Sequence, residues 1–158
     1  MNIDRVKQNV HNFESAKKFE WSEIRIVSSK EFVERRDKLA LDMQAFLTPL
    51  KEWNYEAMGT VLYLSKDNHC GFGVNSDGQL ISVFSLERER GSGLVQIAKE
   101  RGGKHLNCLG DKLRKLYEDA GFKVIKSNPW SDEYAPKNWN QDRFGRPNYY
   151  EMSIGDKE

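Results

Sequence analysis

The sequence is poor in cysteine and histidine. Its two cysteines, Cys70 and Cys108, are too few for the disulfide framework of a small secreted domain. His69 directly precedes Cys70 and His105 lies shortly before Cys108, but neither pair forms the CxxC or HxxxH element typical of zinc sites. We therefore expect no metal site, with the cysteines packed on strands and the histidines at the surface.

The chain also lacks an excess of charge of one sign. Charged residues make up 31% of it, yet the formal net charge is only +1. This balance provides no global attraction to nucleic acid or to a membrane, so a basic patch would have to be local. No apolar run reaches the roughly 18 residues of a membrane span, and the N-terminus, MNIDRVKQNV, does not resemble a secretory leader. We expect a soluble, cytoplasmic protein.

The patterns that are present suit one domain over residues 1–158, a length that supports one sizeable core. Apolar residues at three- and four-residue spacing predict an amphipathic helical extension in residues 1–21. The alternation in SEIRIV (22–27) predicts a strand. Ser28 and Glu31 have capping-box spacing, and the apolar residues behind them predict one long helix or two short ones.

From residue 60 the apolar period changes to two. TVLYLS, CGFGV and LISVFSL predict an antiparallel meander, with Asp77 and Gly78 as a hairpin turn. A glycine-rich turn, a helix over 93–101, the strand KHLNCL, the helix DKLRKLYEDAG and the strands FKVIKS and NYYEMSI follow. The helical crossovers predict an α/β fold whose mixed sheet, an antiparallel meander plus parallel strands, is flanked by helices.

The turn RERGSG, from Arg88 to Gly93, joins the last meander strand to a helix. The first amides of a helix have no intrahelical partner and its N-terminal end is positive, so glycines there let a phosphate approach the bare backbone. The turn lacks the third glycine of a dinucleotide-binding fingerprint and the GK[ST] of a P-loop. Taken alone, it is either a phosphate site or a tight connection.

Two motifs carry a family resemblance. Arg88-x-x-Gly91-x-Gly93 resembles the [RQ]-x-x-G-x-[GA] pattern of the GCN5-related N-acetyltransferase (GNAT) superfamily, and LYEDAGF (116–122) resembles the segment that closes that superfamily's fourth helix. The order of predicted elements over 22–154 is similar as well. The resemblance implies a GNAT-like fold, acetyl-CoA as acyl donor and transfer of the acetyl group to an amine. It implies donor-binding residues around the turn: Leu86, Arg88, Glu89, Arg90, Gly91, Ser92 and Gly93.

Individual donor contacts follow from this resemblance. We expect Arg90 to add charge to a bound phosphate, and backbone N–H groups near Leu86 to hydrogen-bond the acyl oxygen between the strands LISVFSL and KHLNCL. Gly110 stands where many acetyltransferases carry an asparagine that contacts CoA. Asn107 is the candidate to replace that contact.

The tail resembles phage-encoded acetyltransferase-like proteins more narrowly. The resemblance lies in GGKHLNCLGDKLRKLYEDAGF, YAPKNW and GRPNYYEM. Asn148 stands where an acidic residue is common in that set. This departure bears on the end of the site that takes the acceptor.

The chemistry needs a proton donor and a base. The resemblance places the proton donor for the departing thiolate at Tyr117. The alternative is that Tyr117 is an ordinary helix residue that only packs with its neighbours. Glu87, which ends the last meander strand, is the candidate base for the amine; the alternative is a solvated strand-end charge. Asp132 and Glu133, or a chain of waters, are the competing candidates for the base.

Aromatic residues are concentrated in a late segment, residues 127–147. We expect this loop to form the acceptor pocket, with Trp130, Tyr134 and Trp139 binding the substrate. The alternative is a long loop whose aromatic side chains only cover the open end of the sheet.

The leading interpretation is an acetyl-CoA-dependent N-acetyltransferase whose acceptor is an unidentified amine, protein or nucleobase. One alternative is an enzyme of the same fold that modifies a nucleobase in DNA. Another is a binding protein that kept the fold, lost the chemistry and inhibits a host factor. A homodimer through the last strands or the N-terminal segment is compatible with all three.

Overall fold

The computed structural model describes residues 24–48 and 50–154, so the helix predicted within residues 1–21 lies outside the described residues. Two sheets form the centre of the fold, and every strand ladder in them is antiparallel. The first sheet contains β1 (Arg25–Val27), β2 (Val61–Leu64), β3 (Cys70–Val74) and β4 (Leu80–Ser85) in that order. The second contains β5 (His105–Leu109), β6 (Phe122–Asn128) and β7 (Tyr149–Ile154), with β7 in the middle.

Helices lie between these strands, and a short 3-10 turn spans Asp132–Tyr134. None of the helices within the described ranges is long and apolar enough to cross a membrane. The helices are α1 (Ser29–Arg36), α2 (Leu41–Gln44), α3 (Glu52–Ala57), α4 (Gly91–Glu100), α5 (Asp111–Asp119) and α6 (Gln141–Phe144).

The predicted cap of the first helix is confirmed, because Oγ of Ser28 accepts a hydrogen bond from the amide of Glu31 at 3.2 Å. Over the apolar residues up to Leu50 the segment behind the cap forms two short helices, one of the two predicted alternatives, and a third helix, α3, follows. Buried Arg36 explains the break: its guanidinium donates to the carbonyl of Leu50 at 2.6 Å and to the hydroxyl of Tyr55 at 2.8 Å. These bonds fold the chain back on itself after α1.

The predicted meander is confirmed. β2 pairs with β3 and β3 with β4, all antiparallel. In the second turn, the amide of Asn75 donates to the carbonyl of Gln79 at 2.9 Å, and Gly78 has φ of +91°. A positive φ favours glycine, which explains the Asp77–Gly78 signal in the sequence.

The predicted mixed sheet differs from the structure at β4 and β5. They meet at one parallel bridge, Gln79 with His105, and form no parallel ladder. β5 pairs along its length with β7, and beyond the single bridge β4 and β5 form no ladder along the edges that face each other. The unpaired edge between the carboxyl-terminal parts of β4 and β5 is here called the cleft.

Two cores lie against the first sheet. One joins Cys70 and Phe72 of β3 to Leu94 of α4 and Tyr117 of α5. The other joins β2 and β4 to the helical segment before them, through Phe32, Tyr55, Leu64 and Phe84. Since neighbouring side chains on a strand point to opposite faces, α4 and α5 cover one face of this sheet and α1–α3 the other.

A bulge in β4 links the sheet to the α1–α3 side. The register of β3 and β4 shifts between Gly71 and Gly73, and opposite this shift Ser82 has φ of +54°. Oγ of Ser82 lies 2.7 Å from the hydroxyl of Tyr55, which in turn accepts from Arg36. Hydrogen bonds from Arg36 to Tyr55 and between Tyr55 and Ser82 thus hold the bulge in place.

Candidate functional site

The glycine-rich turn leads directly from the end of β4 into α4. The helix begins at Gly91, two residues earlier than predicted, and its N-cap residue Arg90 makes no side-chain cap. The first helical hydrogen bond runs from the amide of Leu94 to the carbonyl of Arg90 at 2.9 Å. The amides of Gly91, Ser92 and Gly93 precede that bond and form the positive end of the helix. This arrangement can receive an anionic group.

Gly91 also has a packing role. A Cβ built there would lie 3.3 Å from Cδ2 of Leu116 on α5, tighter than most such contacts. The absence of a side chain at Gly91 therefore allows α4 and α5 to approach each other. Glu89 adopts φ of +65°, which turns the chain just before the helix.

The two arginines of the turn behave differently. Arg88 is exposed, whereas the Arg90 side chain retains only 19% of its exposure. Nη1 of Arg90 donates to Oδ2 of Asp67 at 2.8 Å and lies 3.6 Å from Sγ of Cys70. The guanidinium of Arg90, predicted to face a phosphate, is thus directed into the protein, and Arg88 is the more accessible cation.

Two amides at the end of β4, near the position expected to bind the acyl oxygen, point in opposite directions. The Leu86 amide donates to the carbonyl of His69 at 2.7 Å. The carbonyl of Cys70 accepts from the amide of Ser65 on the β2 side, so it cannot pair with Ser85, which lies opposite it. Because amides alternate along a strand edge, the Ser85 amide faces the cleft beside β5.

Tyr117 lies on α5 within the core, with 5% of its surface exposed. Its ring packs edge-on against Phe122, with 5.8 Å between ring centroids. Burial, with a smaller contribution from Cys108, raises the pKa of Tyr117 well above the usual value for a phenol. The hydroxyl therefore stays protonated throughout the physiological range.

The candidate base has an unforeseen partner. Oε2 of Glu87 lies 2.6 Å from Nδ1 of His69, and both side chains are partly exposed. The same nitrogen lies 3.6 Å from Oδ2 of Asp67. The turn sequence KDNH predicts only a loop, so no local signal in the sequence indicates this pairing.

The competing candidates for the base differ from Glu87 in their surroundings. Hydrogen bonds from Arg146 and from Nε1 of Trp130 hold the pKa of Asp132 below its usual range, which disfavours proton uptake. Glu133 is exposed in the 3-10 turn.

Asn107, the candidate CoA contact, lies before the start of α5, as do Gly110 and, through it, Asn148, the two departures from the family pattern. Asn107 is exposed on β5, across from Glu151 of β7. Gly110 has φ of +90°, and its amide donates to the carbonyl of Asn148 at 2.9 Å. The positive φ gives Gly110 a structural reason to be glycine.

The aromatic segment packs largely on itself and on the helices before the meander. Trp139 contacts Trp130, Phe46 and Phe144, with ring centroids 5.2, 5.0 and 5.4 Å away. Tyr134 is 79% exposed and lies outside this aromatic cluster. The edge-on and tilted ring contacts within the cluster support the alternative in which the loop serves its own packing.

A cavity of about 1000 Å³ lies between this segment and the α1–α3 side. The predicted substrate residues Trp130, Tyr134 and Trp139 do not line it; the loop contributes residues 135–138 instead. Charged lining residues include Arg36, Asp37, Lys51, Glu52, Glu56 and Lys137.

The described part of the chain contains no cluster of three or more histidine, cysteine or acidic residues that could hold a metal ion. Cys70 and Cys108 are both buried, and both are free thiols. Cys108 lies on β5 opposite Tyr150 of β7, and its Sγ is 3.8 Å from Sδ of Met152.

Comparison with solved structures shows which fold this is. A protein assigned as a phosphinothricin N-acetyltransferase aligns with a TM-score of 0.54 at 15% identity, over 84% of this chain and 98% of its own. A GNAT-family acetyltransferase from Streptococcus pneumoniae aligns with a TM-score of 0.52 at 17% identity, over 84% of this chain and 98% of its own.

A third structure, of a Salmonella typhimurium protein described as an acetyltransferase with its cofactor acetyl-CoA, aligns with a TM-score of 0.51 at 12% identity. It covers 85% of this chain and 95% of its own. No protein-family model and no curated protein sequence matches the chain. The likeness lies in the fold, which is that of the GNAT acetyltransferases.

Proposed function

We propose that the protein is an acyltransferase that takes an acetyl group from acetyl-CoA and transfers it to an amine. The observation that carries this proposal is the set of uncapped amides at Gly91, Ser92 and Gly93, placed where β4 and β5 separate. The GNAT fold and the acetyl-CoA bound to the Salmonella typhimurium protein support the choice of donor.

The donor site follows from the chain's own groups. The amides of Gly91, Ser92 and Gly93 bind the pyrophosphate, and exposed Arg88 adds positive charge. The Ser85 amide, facing the cleft, hydrogen-bonds the thioester carbonyl oxygen and stabilises the negative charge that develops on it. Leu86, Glu89 and Arg90 shape the turn.

Two groups manage protons in this proposal. The amine nitrogen forms the new bond to the carbonyl carbon as the carbon–sulfur bond breaks, and Tyr117 protonates the departing sulfur. A phenol suits this step because it holds its proton at neutral pH and can donate it to the sulfur as the carbon–sulfur bond breaks. Glu87, paired with His69, accepts the proton that the amine loses.

The acceptor enters from the opposite face of the first sheet. The cavity of about 1000 Å³ lies on the α1–α3 side, and the Arg36–Tyr55–Ser82 chain connects its wall to the bulge of β4. Its charged lining suits a polar amine. The aromatic rings around Trp139 pack against one another, so they offer less support to a nucleobase acceptor.

Calorimetric titration with acetyl-CoA tests the donor site. Exposed Ser92 allows a charge to be placed at the helix start without filling a packed space. We expect the wild type to bind in the micromolar range, Ser92→Gln to bind comparably, and Ser92→Glu to bind at least tenfold more weakly, because the added carboxylate repels the pyrophosphate.

Equal affinity of Ser92→Glu and Ser92→Gln would place the pyrophosphate elsewhere. Absence of binding to any CoA ester by the folded wild type would overturn the enzyme proposal and favour the non-catalytic binding protein. If binding is observed, release of free CoA with a panel of polyamines, amino acids, peptides and nucleosides identifies the class of acceptor.

A further inference from the structure

The turn between β2 and β3 holds a carboxylate that joins two distant parts of the chain. Oδ1 of Asp67 accepts hydrogen bonds from Oγ of Ser65 at 2.8 Å and from the His69 amide at 3.1 Å. Oδ2 of the same carboxylate accepts from Nη1 of Arg90 at 2.8 Å. The Asp67 side chain is 32% exposed and that of Arg90 19%, so the pair is largely shielded from water.

The electrostatics of this pair favour a fixed arrangement. Burial opposes ionisation of Asp67, but the hydrogen bonds from Arg90, Ser65 and the His69 amide outweigh it and lower the pKa of this carboxyl. Charge-assisted hydrogen bonds of this kind are about twice as strong as neutral ones. Asp67 is thus held as a carboxylate that binds Arg90 firmly.

Arg90 is the residue from which α4 starts. Its carbonyl accepts the first helical hydrogen bond, from Leu94, and its backbone directly precedes Gly91. The location of the guanidinium therefore limits the location of the three uncapped amides. The ion pair between Asp67 and Arg90 therefore couples the position of the start of α4 to that of the β2–β3 turn.

We propose that Arg90 is a positioning residue, anchored by Asp67, that holds the amides of Gly91, Ser92 and Gly93 in place for a pyrophosphate without itself binding it. This inference rests on the proposed function. It assigns to Asp67, a residue with no place in the glycine motif, a role in donor affinity.

The direction in which Asp67→Asn changes the affinity for acetyl-CoA distinguishes an anchored Arg90 from an Arg90 that binds the phosphate directly. Asp67→Asn removes a negative charge near an anion site and releases Arg90. Plain electrostatics then requires tighter binding of acetyl-CoA. Loss of the anchor requires weaker binding, because the amides lose their fixed arrangement.

The experiment measures acetyl-CoA affinity by calorimetry for the wild type, Asp67→Asn, Arg90→Gln and the double variant. Glu34→Gln, at an exposed position on α1, controls for the loss of one negative charge. We expect each single variant to bind about fivefold or more weakly, and the double variant to be no worse than either, because both remove the same interaction.

Hydrogen exchange at the Leu94 amide, measured without ligand, gives a second readout. Protection there should fall in Asp67→Asn and Arg90→Gln but not in Glu34→Gln. Unchanged protection, unchanged or tighter binding by Asp67→Asn, or additive losses in the double variant would each overturn the anchor. A wild type that binds no acetyl-CoA would overturn the proposed function, while the exchange experiment would still decide whether the anchor orders the helix start.

Discussion

Nδ1 of His69 lies 2.6 Å from Oε2 of Glu87, which joins the start of β3 to the residues just beyond β4. The contact makes the candidate base one half of a pair. A histidine beside a carboxylate can accept a proton at its remaining nitrogen while the carboxylate stabilises the charged ring. The two residues are therefore expected to act as a unit.

Glu87→Gln should lower kcat about tenfold or more, within the range that general-base catalysis contributes. The measurement is CoA release with the most reactive amine of the panel. Glu34→Gln, at an exposed position on α1, is the charge-matched control and should retain activity. If His69 and Glu87 form one unit, His69→Gln combined with Glu87→Gln will be no slower than Glu87→Gln; independent losses would show that they act separately.

Tyr117→Phe should reduce kcat about tenfold or more and leave acetyl-CoA affinity within about twofold, because only the proton donor is removed. The ring and its contact with Phe122 persist in the variant. Steady-state kinetics measures kcat, and calorimetry measures acetyl-CoA affinity, for the wild type and for Tyr117→Phe. Unchanged kcat would assign Tyr117 to packing alone.

Stability at alkaline pH should depend on Cys108. Burial raises the pKa of its thiol to about 12, whereas an unfolded chain releases this proton near pH 8.5. A raised folded-state pKa gives stability that is fully present below about pH 8.5 and is lost as pH rises toward 12. Between pH 8 and 10 the loss from this group should be about 2 kcal/mol.

Urea unfolding of the wild type and Cys108→Ala at both pH values measures the effect. The variant is expected to be less stable at pH 8, because it leaves a small cavity, but to lose less stability on going to pH 10. Parallel losses in the two proteins would contradict the assignment to Cys108.

The bulge in β4 should be sensitive to the shape of residue 82. Ser82→Ala removes the hydrogen bond to Tyr55 and should cost about 1–2 kcal/mol. Ser82→Val should cost clearly more, because a β-branched side chain is strained at the φ of +54°. Chemical denaturation compares them, and equal stability of the two variants would argue against backbone strain at this position.

The acceptor cavity and the aromatic cluster should respond to different substitutions. Thr48→Trp, on the exposed rim of the cavity, should slow transfer at low amine concentration without changing acetyl-CoA affinity. Trp139→Ala should instead lower the free energy of unfolding by about 1–3 kcal/mol, since the side chain packs against three rings. Amine kinetics and thermal unfolding are measured on both variants. Unaltered amine kinetics in Thr48→Trp would exclude the cavity as the acceptor site.

Local signals in the sequence predicted much of the fold correctly. The Ser28 cap, the Asp77–Gly78 turn and the period-two strands of the meander all appear in the structure. Each depends on backbone geometry and hydrogen bonding among residues close in the chain. The N-terminal helical extension in residues 1–21 stays a prediction.

Within the candidate site, the sequence determined by itself that a glycine turn joins a strand to a helix and leaves its first amides uncapped. Tertiary structure decided which neighbouring groups face that turn. Arg90 points inward because its partner Asp67 comes from another hairpin, and Ser85 rather than Leu86 faces the cleft because β3 pairs with β4 in one particular register. The cavity wall likewise joins the α1–α3 segment to residues 135–138. Such contacts depend on how distant elements pack, which no local spacing of residues encodes.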